Sequence, residues 1–598
     1  MKRHLSVVLA GVLVFAPVTA IPAAAAPAPL SGEASLGEDD LPHPLGEQLA
    51  AERTEAVGKL VAGTAKTLQR TGSEVVKLGD KRYVEYRKKA AKTDPILSFL
   101  VEFGEATTPE TAGTPGPSHN RIPAPDRNWD GSATDDNSTL WAPDFSPAYY
   151  QSLLFSKLNE SMTSFYRKQS GGRYTVGGDV SSWVKVPYNE ARYGSNAIGE
   201  DDGYWNFVKD SATAWYGAQA ASGKRPAEIR KYLSTFDVWD RYDYDGDGDF
   251  NEPDGYIDHF QAVHAGEGEE AGGGAQGDDA IWSHRWYAFA DQIGGTGPAN
   301  NRAGGVQIGD TGIWIGDYTT EPENGGLGVF AHEFGHDLGL PDLYDTAGGE
   351  NGTGFWTLMS SGSWLNRGGS SIGSTPGYLG AWEKIALGWS NFVTVQPGAT
   401  KIVTLSPASG GDGRLPEAVV VPLSDGSYYA AEYRGYTGFD ETLKLGPYNF
   451  GWRDSRPDWV ERFPYQDGLL VWYVNPAAGD NNTSQHPGTG LTLPVDARPA
   501  PIVFPDGTVL NNRRQPFDAT FGLQRTDPVT FHSNGTPVTV PQQPAIPVFT
   551  DADPLAYWNA ANPENSVQVA RAGVRIEVRS QLTGAVPMMT LKVTPPAV

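Results

Sequence analysis

The sequence feature that most constrains this chain is a pair of histidines four residues apart, His332 and His336, with Glu333 between them. Residues four apart lie on one face of an α-helix, so both rings can place a nitrogen about 2.0 Å from a single Zn²⁺ ion. Glu333 lies beside them and is free to act as a base. The spacing therefore predicts a helix that carries two metal ligands and a catalytic carboxylate.

The residues that follow predict how a third ligand reaches the metal. Gly339 can adopt the left-handed conformation that ends a helix, and Pro341 keeps the helix from resuming. Asp342 follows directly, which predicts a catalytic zinc site with two histidines, one carboxylate and one position open for water. Asp345 is a competing third ligand, and Glu383 is a more remote one.

A methionine in a short polar turn, Leu358-Met359-Ser360-Ser361-Gly362, supports this interpretation. The chain contains only 10 His and 5 Met among 598 residues, so both features falling within thirty residues argues against coincidence. Taken alone, Met359 would indicate ordinary core packing. A surface helix that carries two histidines by chance is the competing interpretation of the helix.

The stretch HEFGHDLGLPD, with the downstream methionine, resembles the metzincin pattern of zinc endopeptidases, with Asp342 in place of the usual third histidine. The chain also resembles the immune inhibitor A family of secreted bacterial peptidases over roughly residues 96 to 480. The flanking residues that carry this second resemblance are Trp282-Ser283-His284, Ala381-Trp382-Glu383-Lys384 and Leu387-Gly388-Trp389.

The resemblance implies that Met359 forms an apolar base beneath the metal. It also implies that a strand just before the helix, Gly312 to Tyr318, is an edge strand that binds extended peptide. Many metzincins place a tyrosine two residues after the methionine, where this chain has Ser361, so the donor to the oxyanion stays unassigned. His284 lies between two tryptophans and is predicted to be a packed structural residue rather than a catalytic one.

An acidic loop, DYDGDGDFNEPD, predicts a second kind of metal site. Its side-chain ligands would be Asp243, Asp245 and Asp247 at the first, third and fifth positions of a calcium loop, and Asp254 at the closing position. Asp249 would contribute its backbone carbonyl. Five aspartates within twelve residues repel one another without a cation, so at least one structural Ca²⁺ is expected. An acidic loop without an ion is the alternative.

The net charge of the chain predicts which classes of partner are excluded, and its N-terminal residues predict where the protein is located. A net charge of −25 and a pI near 4.8 argue against nucleic acid and anionic membranes as partners. Lys2 and Arg3, an apolar run and the small residues Ala24-Ala25-Ala26 predict a signal peptide, hence a secreted, extracellular protein. The chain has no Cys, which excludes disulfides and any latency device in which a propeptide thiolate occupies the zinc.

The predicted organisation is a signal peptide over residues 1–26, a propeptide over 27–95, a zinc protease domain over 96–395 and a β-rich region over 396–598. The fold class is α+β, with a metzincin-like catalytic domain, a helical propeptide and a C-terminal β-sandwich. Predicted elements include helices over Gly46–Arg70, Ala148–Lys168 and Asp202–Leu233, a buried strand over Ile96–Phe103 and a hairpin over Tyr174–Val186. The basic run from Lys81 to Lys92 is either a solvated face or a processing site.

The predicted function is that of a secreted zinc-dependent endopeptidase and zymogen that hydrolyses internal peptide bonds of proteins. Glu333 would take a proton from a zinc-bound water and pass it to the departing amine. The alternatives are a secreted, calcium-stabilised surface- or glycan-binding protein with a vestigial zinc site, and a hydrolase of something other than peptides. The C-terminal region would contact a glycan or surface, or would brace the catalytic domain.

Overall fold

A computed structural model describes residues 39–598, apart from residues 89–90, 129, 131–133, 351, 370, 410–413, 447–460, 462, 511, 534, 585 and 598. The predicted signal peptide lies outside the described residues. The described part of the chain mixes helices with several separate sheets, as the α+β prediction requires. None of the described helices is both long enough and apolar enough to cross a bilayer.

The N-terminal unit is a helix followed by a small antiparallel sheet, β1-β2-β3. Its elements are α1 (Pro44–Val61), β1 (Thr67–Gln69), β2 (Ser73–Gly79) and β3 (Arg82–Lys88). The predicted helix over Gly46–Arg70 is therefore right as far as Val61 and wrong beyond it. Gly63 adopts a φ of +72°, which turns the chain, and residues 67–69 then pair with β2 instead of continuing a helix.

The region predicted to be catalytic, called the catalytic region below, contains a mixed five-stranded sheet, a separate two-stranded sheet and several helices. In chain order its elements are β4 (Lys92–Glu102), α2 (Pro147–Phe155), α3 (Met162–Gln169), β5 (Tyr174–Lys185), α4 (Ala191–Gly194), α5 (Glu200–Ala221), α6 (Pro226–Leu233), β6 (His259–His264), β7 (His284–Tyr287), β8 (Val306–Gln307), β9 (Trp314–Ile315), β10 (Asp317–Pro322), α7 (Leu327–Asp337) and α8 (Ala381–Ala386). The sheet order is β5-β4-β6-β10-β7. Four strands are parallel and β7 is antiparallel at one edge.

The predicted buried strand over Ile96–Phe103 is confirmed within β4, whose Phe99, Leu100 and Val101 are fully buried. The predicted edge strand over Gly312–Tyr318 does not form as one strand. Trp314–Ile315 form β9, which pairs with β8 in a separate two-stranded sheet, whereas Asp317 and Tyr318 begin β10, an inner strand between β6 and β7. The outermost strand on that side of the sheet is β7, whose four residues pair with β10.

Three further predictions need correction. The helix over Asp202–Leu233 is divided into α5 and α6, because Gly223 adopts a φ of +90° after the end of α5. The helix over Ala148–Lys168 is broken into α2 and α3, because Ser161 caps a new helix start and Leu158 between them is 96% exposed rather than packed. The hairpin over Tyr174–Val186 is a single strand, β5, parallel to β4. Gly178 lets the two strands approach closely, since a Cβ there would collide with the Ile96 carbonyl.

Buried charges tie the active helix α7 to the sheet beneath it. Asp337 lies near the end of α7 and pairs with Arg241, whose Nη2 is 2.9 Å from Oδ1, and with the His259 ring of β6. The other side of His259 faces Asp94 of β4 at 3.5 Å. Burial favours neutral Asp337, but Arg241 and His259 outweigh that effect and lower its pKa to about 2.

The C-terminal region is β-rich, as the sequence predicts. Its elements are β11 (Phe392–Thr394), β12 (Lys401–Leu405), β13 (Ala418–Pro422), β14 (Tyr428–Arg434), α9 (Thr442–Leu445), β15 (Gly468–Val474), β16 (Thr492–Pro494), β17 (Ile502–Val503), β18 (Val509–Leu510), β19 (Val529–Ser533), β20 (Thr536–Val540), β21 (Val548–Thr550), β22 (Arg575–Leu582) and β23 (Met588–Thr594). Its larger sheets are β11-β13-β14-β15-β16 and β12-β23-β22-β21.

The first of these sheets is buried on both faces. Tyr429 and Val471 share a core with Leu405 and Ile576 of the second sheet, which makes a sandwich. Alternate residues such as Trp472 join the core of the catalytic region instead. The C-terminal region is therefore packed directly against the catalytic region.

Candidate active site

Helix α7 holds both histidines and is buried on nearly every side. It begins after Gly326 and ends where Gly339 takes a φ of +83°. The Gly339 amide donates to the His336 carbonyl at 2.7 Å, and the Leu340 amide donates to Gly335 at 3.0 Å. The helix therefore ends at the glycine that the sequence indicates.

The two imidazoles are held by backbone carbonyls through their Nδ1 atoms. His332 Nδ1 is 2.8 Å from the Leu358 carbonyl, and His336 Nδ1 is 2.7 Å from the Leu340 carbonyl. A carbonyl only accepts, so each Nδ1 carries the proton and a neutral ring keeps its lone pair on Nε2. The two Nε2 atoms face each other 3.0 Å apart.

Carboxylates complete the group. Asp342 Oδ1 is 3.3 Å from His332 Nε2 and 3.2 Å from His336 Nε2. Asp39, from the N-terminal segment, also reaches both rings, and the ligand atoms of all four residues lie within 4.8 Å of one another. Asp342 thus lies where the sequence predicts the third ligand.

These donors fit a divalent cation. Buried lone pairs and carboxylate oxygens that converge repel one another, and Asp342 Oδ1 has no hydrogen-bond donor. Burial disfavours a charged His332, but Asp39 and Asp342 outweigh it and raise the pKa of that ring to about 10. The site therefore attracts positive charge. Two imidazoles with carboxylate oxygen are a donor set that suits Zn²⁺.

Glu333 is adjacent to the four potential metal ligands but is not one of them. With His332 it lines a cavity of about 40 Å³, which is large enough for a water molecule. Its Oε2 is buried and has no hydrogen-bond donor. Burial and then the Asp39 charge raise the pKa of Glu333 well above its usual range. A carboxylate in this place can accept a proton from a group bound in the cavity.

The turn that contains Met359 supports the helix and orients a ligand. A Cβ added at Gly335 would lie 2.5 Å from the Met359 sulfur, so the thioether packs closely against α7. The Leu358 carbonyl orients His332, and the Met359 carbonyl accepts from the Leu343 amide at 2.8 Å. The turn thus fixes one ligand and the segment that carries Asp342.

The rival ligands lie elsewhere. Asp345 accepts from the amides of Ala347 at 2.9 Å and Ser484 at 2.7 Å. Glu383 accepts from the Gly380 amide at 2.7 Å and caps its own helix. His284 bonds the Trp282 carbonyl at 2.7 Å and the Tyr318 hydroxyl at 2.9 Å, which is a structural arrangement.

The acidic loop brings together only part of its predicted set. Oxygens of Asp243, Asp245 and Asp247 form one group, and oxygens of Asp240, Asp245 and Glu252 form another. The side chain of Asp249 accepts from the Asn251 amide at 3.1 Å. Asp254 lies apart, buried, where it accepts from the Tyr256 amide at 2.9 Å and the Asn301 amide group at 3.2 Å.

Two residues of the site were not predicted from the sequence. Asp39 is about three hundred residues from the histidines and carries no local signal beyond its acidic neighbour Asp40. Tyr344 stacks near His332, with ring centroids 6.4 Å apart, and lines the cavity with Glu333. Its hydroxyl hydrogen-bonds the Asp39 carboxylate. The sequence signal that could have indicated Tyr344 is its position two residues after Asp342.

A buried helix that presents two imidazoles and a glutamate, with an aspartate returned by a glycine bend, defines a metallopeptidase catalytic domain. Comparison with family models agrees. Residues 81–391 match the immune inhibitor A peptidase M6 catalytic domain, and residues 424–585 match the immune inhibitor A-like metallopeptidase VEG domain. The first match covers more than half of the chain, which therefore belongs to the immune inhibitor A family of M6 peptidases.

Individual relatives support the same assignment. Immune inhibitor A of Bacillus thuringiensis subsp. alesti is 39% identical over 284 residues, which is 43% of this chain and 38% of the relative. The pre-pro-metalloprotease PrtV of Vibrio cholerae serotype O1 is 35% identical over 307 residues, which is 49% of this chain and 29% of that protein. The similarity thus spans well under half of the length of either relative.

Proposed function

We propose that this chain is a secreted zinc-dependent endopeptidase that hydrolyses internal peptide bonds of proteins. His332, His336 and Asp342 would hold the zinc, and Glu333 would act as general base and acid. The observation that carries the proposal is the convergence of two Nε2 atoms and the Asp342 carboxylate beside a cavity lined by Glu333.

In this proposal the metal and the side chains of the protein supply different parts of the hydrolysis reaction. When bound, zinc lowers the pKa of water and polarises a carbonyl. Glu333 lines the cavity and its Oε2 has no hydrogen-bond donor, which supports a role in accepting a proton and returning it to the departing amine. The Leu358 and Leu340 carbonyls keep both imidazoles in the tautomer that presents Nε2.

We propose that Tyr344 assists the oxyanion. Its hydroxyl already donates to a carboxylate, that of Asp39, which lies against the Nε2 atoms of the two histidines. An oxyanion that developed in the same place would find the same donor. In this proposal Tyr344 takes the role that the resemblance would have given to a residue at the position of Ser361.

The remaining parts of the proposal concern maturation and support. The N-terminal sequence supports export, and residues 27–95 would be a propeptide. The acidic loop would bind at least one structural Ca²⁺, supported by the grouped oxygens of Asp243, Asp245 and Asp247. The C-terminal region would brace the site, since the Asn481 side chain donates to the Leu343 carbonyl at 3.0 Å, one residue from Asp342.

Casein digestion tests the central part of the proposal. The secreted, N-terminally trimmed protein should digest casein, and a zinc chelator should stop it. Glu333→Gln should lower kcat by roughly 10² to 10⁴ while zinc content and thermal unfolding stay unchanged. A Glu333→Gln protein as active as its parent would refute the mechanism, and a zinc-free parent that still digests casein would refute the metal assignment.

A further inference from the structure

The cavity beside the active helix contains a second glutamate that the proposed reaction does not use. Glu270 lines this cavity together with Glu333, and only 8% of Glu270 is exposed. Glu333 is the proposed base, whereas Glu270 has no part in the reaction and is not among the potential metal ligands. Because a buried carboxylate is costly unless it is paired, Glu270 is a candidate for binding a positive group of the substrate.

Glu270 is held in a fixed orientation by the residue that precedes β7. The Ser283 hydroxyl donates to Glu270 Oε1 at 2.7 Å, and the Ser283 amide donates to Oε2 at 3.2 Å. Gly268 lets the carboxylate lie against its own loop, since a Cβ at that position would be 2.3 Å from Oε2. The carboxylate is therefore preorganised, which lowers the cost of binding a ligand.

The wall around Glu270 lacks a strong counterion. Burial raises the pKa of the Glu270 carboxyl despite the bonds from Ser283 and the nearby His264 ring. Among the described residues that line the cavity, none is a lysine or an arginine. Arg513 contacts a lining residue, with its Nη1 3.4 Å from Ser361 Oγ, but does not itself line the cavity. A cation carried by a substrate would supply the charge that is missing beside Glu270.

Two tryptophans line the same cavity, Trp282 beside Ser283 and Trp364 in the segment after Met359. Both are half-buried. The face of an indole attracts a cation, and the methylene stem of a lysine or arginine side chain packs well on apolar surface. A cavity with aromatic walls and a fixed carboxylate therefore matches a side chain that is apolar along its length and positively charged at its end.

We infer that Glu270 is a specificity-determining residue that binds the side chain of a lysine or arginine next to the scissile bond. The inference rests on the proposed function, because it requires a peptide bond at Glu333 and the histidines. One cavity is lined by His332, Glu333 and Glu270, so a side chain that reaches Glu270 belongs to a residue flanking the bond that is cleaved. Asp39 also lines the cavity, but it belongs to the N-terminal segment that the trimmed enzyme would lack.

The test uses the secreted, trimmed enzyme and fluorogenic peptides that differ only in the residue on one side or the other of the cleaved bond. Lysine is compared with norleucine, which has the same unbranched stem without the charge. Mass spectrometry of the products identifies the bond that is cleaved. Glu270→Gln is compared with Glu269→Gln, because the neighbouring Glu269 accepts from the Asn196 side chain at 2.8 Å and does not line the cavity.

The parent and Glu269→Gln should cleave the preferred lysine peptide with a kcat/KM at least about 30-fold above that of its norleucine counterpart. Glu270→Gln should lower this ratio to about one and change cleavage of the norleucine peptide less than about threefold, because the amide keeps the volume but not the charge. Glu270→Asp serves if the glutamine variant does not fold. It withdraws the carboxylate by one methylene and should shift the preference from lysine toward the longer arginine.

A parent that digests casein but does not prefer lysine to norleucine on either side of the bond would overturn the inference. So would a Glu270→Gln protein that keeps the preference, or one that loses activity equally on every peptide, since Glu270 would then only anchor its loop. A parent that cleaves neither the peptides nor casein would refute the proposed function itself, which is a distinguishable result. Circular dichroism and thermal unfolding confirm that each compared protein is folded.

Discussion

The active-site cluster and the acidic loop both gather metal-ligating oxygens, but they are built in opposite ways. In the cluster, all four donors are buried; three of them lie within residues 332–342, and Asp39 comes from the N-terminal segment. Their orientation is imposed from outside by carbonyls such as those of Leu358 and Leu340. The donors cannot separate without unpacking α7, so they repel one another until a cation is bound.

The acidic loop is local and partly exposed. Asp243 Oδ1 accepts from the Gly248 amide at 2.9 Å, Asp245 from the Asp247 amide at 3.1 Å, and Asp247 from the Asp249 amide at 2.7 Å. Turns of this kind organise the carboxylates from within the loop. We therefore expect changes in the buried cluster to affect chemistry and changes in the loop to affect stability.

The largest expected effect separates the proposed ligand from its rival. Asp342→Ala should weaken zinc binding by at least about hundredfold and abolish casein digestion, because one of the proposed metal ligands is lost. Asp345→Ala is the matched control and should retain zinc, since its oxygens accept from Ala347 and Ser484 instead. Zinc content after dialysis measures both.

The opposite pattern, with zinc lost only in Asp345→Ala, would make Asp345 the third ligand. Metal binding by the buried cluster would then depend on a residue that lies outside it.

The next effect concerns Tyr344. Tyr344→Phe should lower kcat of the trimmed enzyme by roughly 10²-fold with little change in KM, because the hydroxyl acts on the oxyanion rather than on the bound substrate. Tyr166→Phe is the control, since its hydroxyl donates to the Ala331 carbonyl of α7 at 2.5 Å and lies outside the cavity lining. Steady-state kinetics would refute the role if the two variants lost activity equally.

A smaller effect is expected at the acidic loop. Removing Ca²⁺ should lower the Tm of the parent by about 5 °C, because a bound ion stabilises only the folded state. Asp245→Ala should abolish this response, since Asp245 belongs to both oxygen groups. Asp249→Ala should keep it, because the calcium loop needs only the carbonyl of that residue. If the Tm of the parent did not change on removal of Ca²⁺, the loop would be an acidic loop that binds no calcium ion.

The smallest effect is the pH dependence of that calcium response. Burial, with nearby Asp243 and Glu252, raises the pKa of Asp240 to about 7. The folded state then holds a proton that the unfolded chain releases near pH 4, so stability falls as pH rises from about 4 to 7. Ca²⁺ should offset this loss, and its effect on Tm should be larger at pH 8 than at pH 5. An equal or reversed effect would contradict this assignment.

The sequence alone was sufficient to predict those parts of the site that depend on residues close together in the chain. The spacing of His332 and His336, the helix end at Gly339 and the return of Asp342 follow from helix geometry and from glycine's access to positive φ. Asp345 is also an aspartate at a similar distance along the chain from the histidines. It is not at the site, because its carboxylate accepts hydrogen bonds from two backbone amides elsewhere.

The features that depend on contacts between distant parts of the chain could not be predicted from the sequence. The parallel pairing of β5 with β4 and the burial of β10 behind β7 are set by strands distant in sequence, so a hairpin and the wrong edge strand were expected instead. Asp39 reaches the histidines only because α1 docks on the helix end through Arg53. No local pattern around Asp39 encodes that contact.

Zinc-edge anomalous diffraction from crystals of the protein would locate the metal. We expect one strong peak within about 2.3 Å of His332 Nε2, His336 Nε2 and the Asp342 carboxylate. A peak held by Asp345 or Glu383 in place of Asp342, or no zinc at the two histidines, would contradict it.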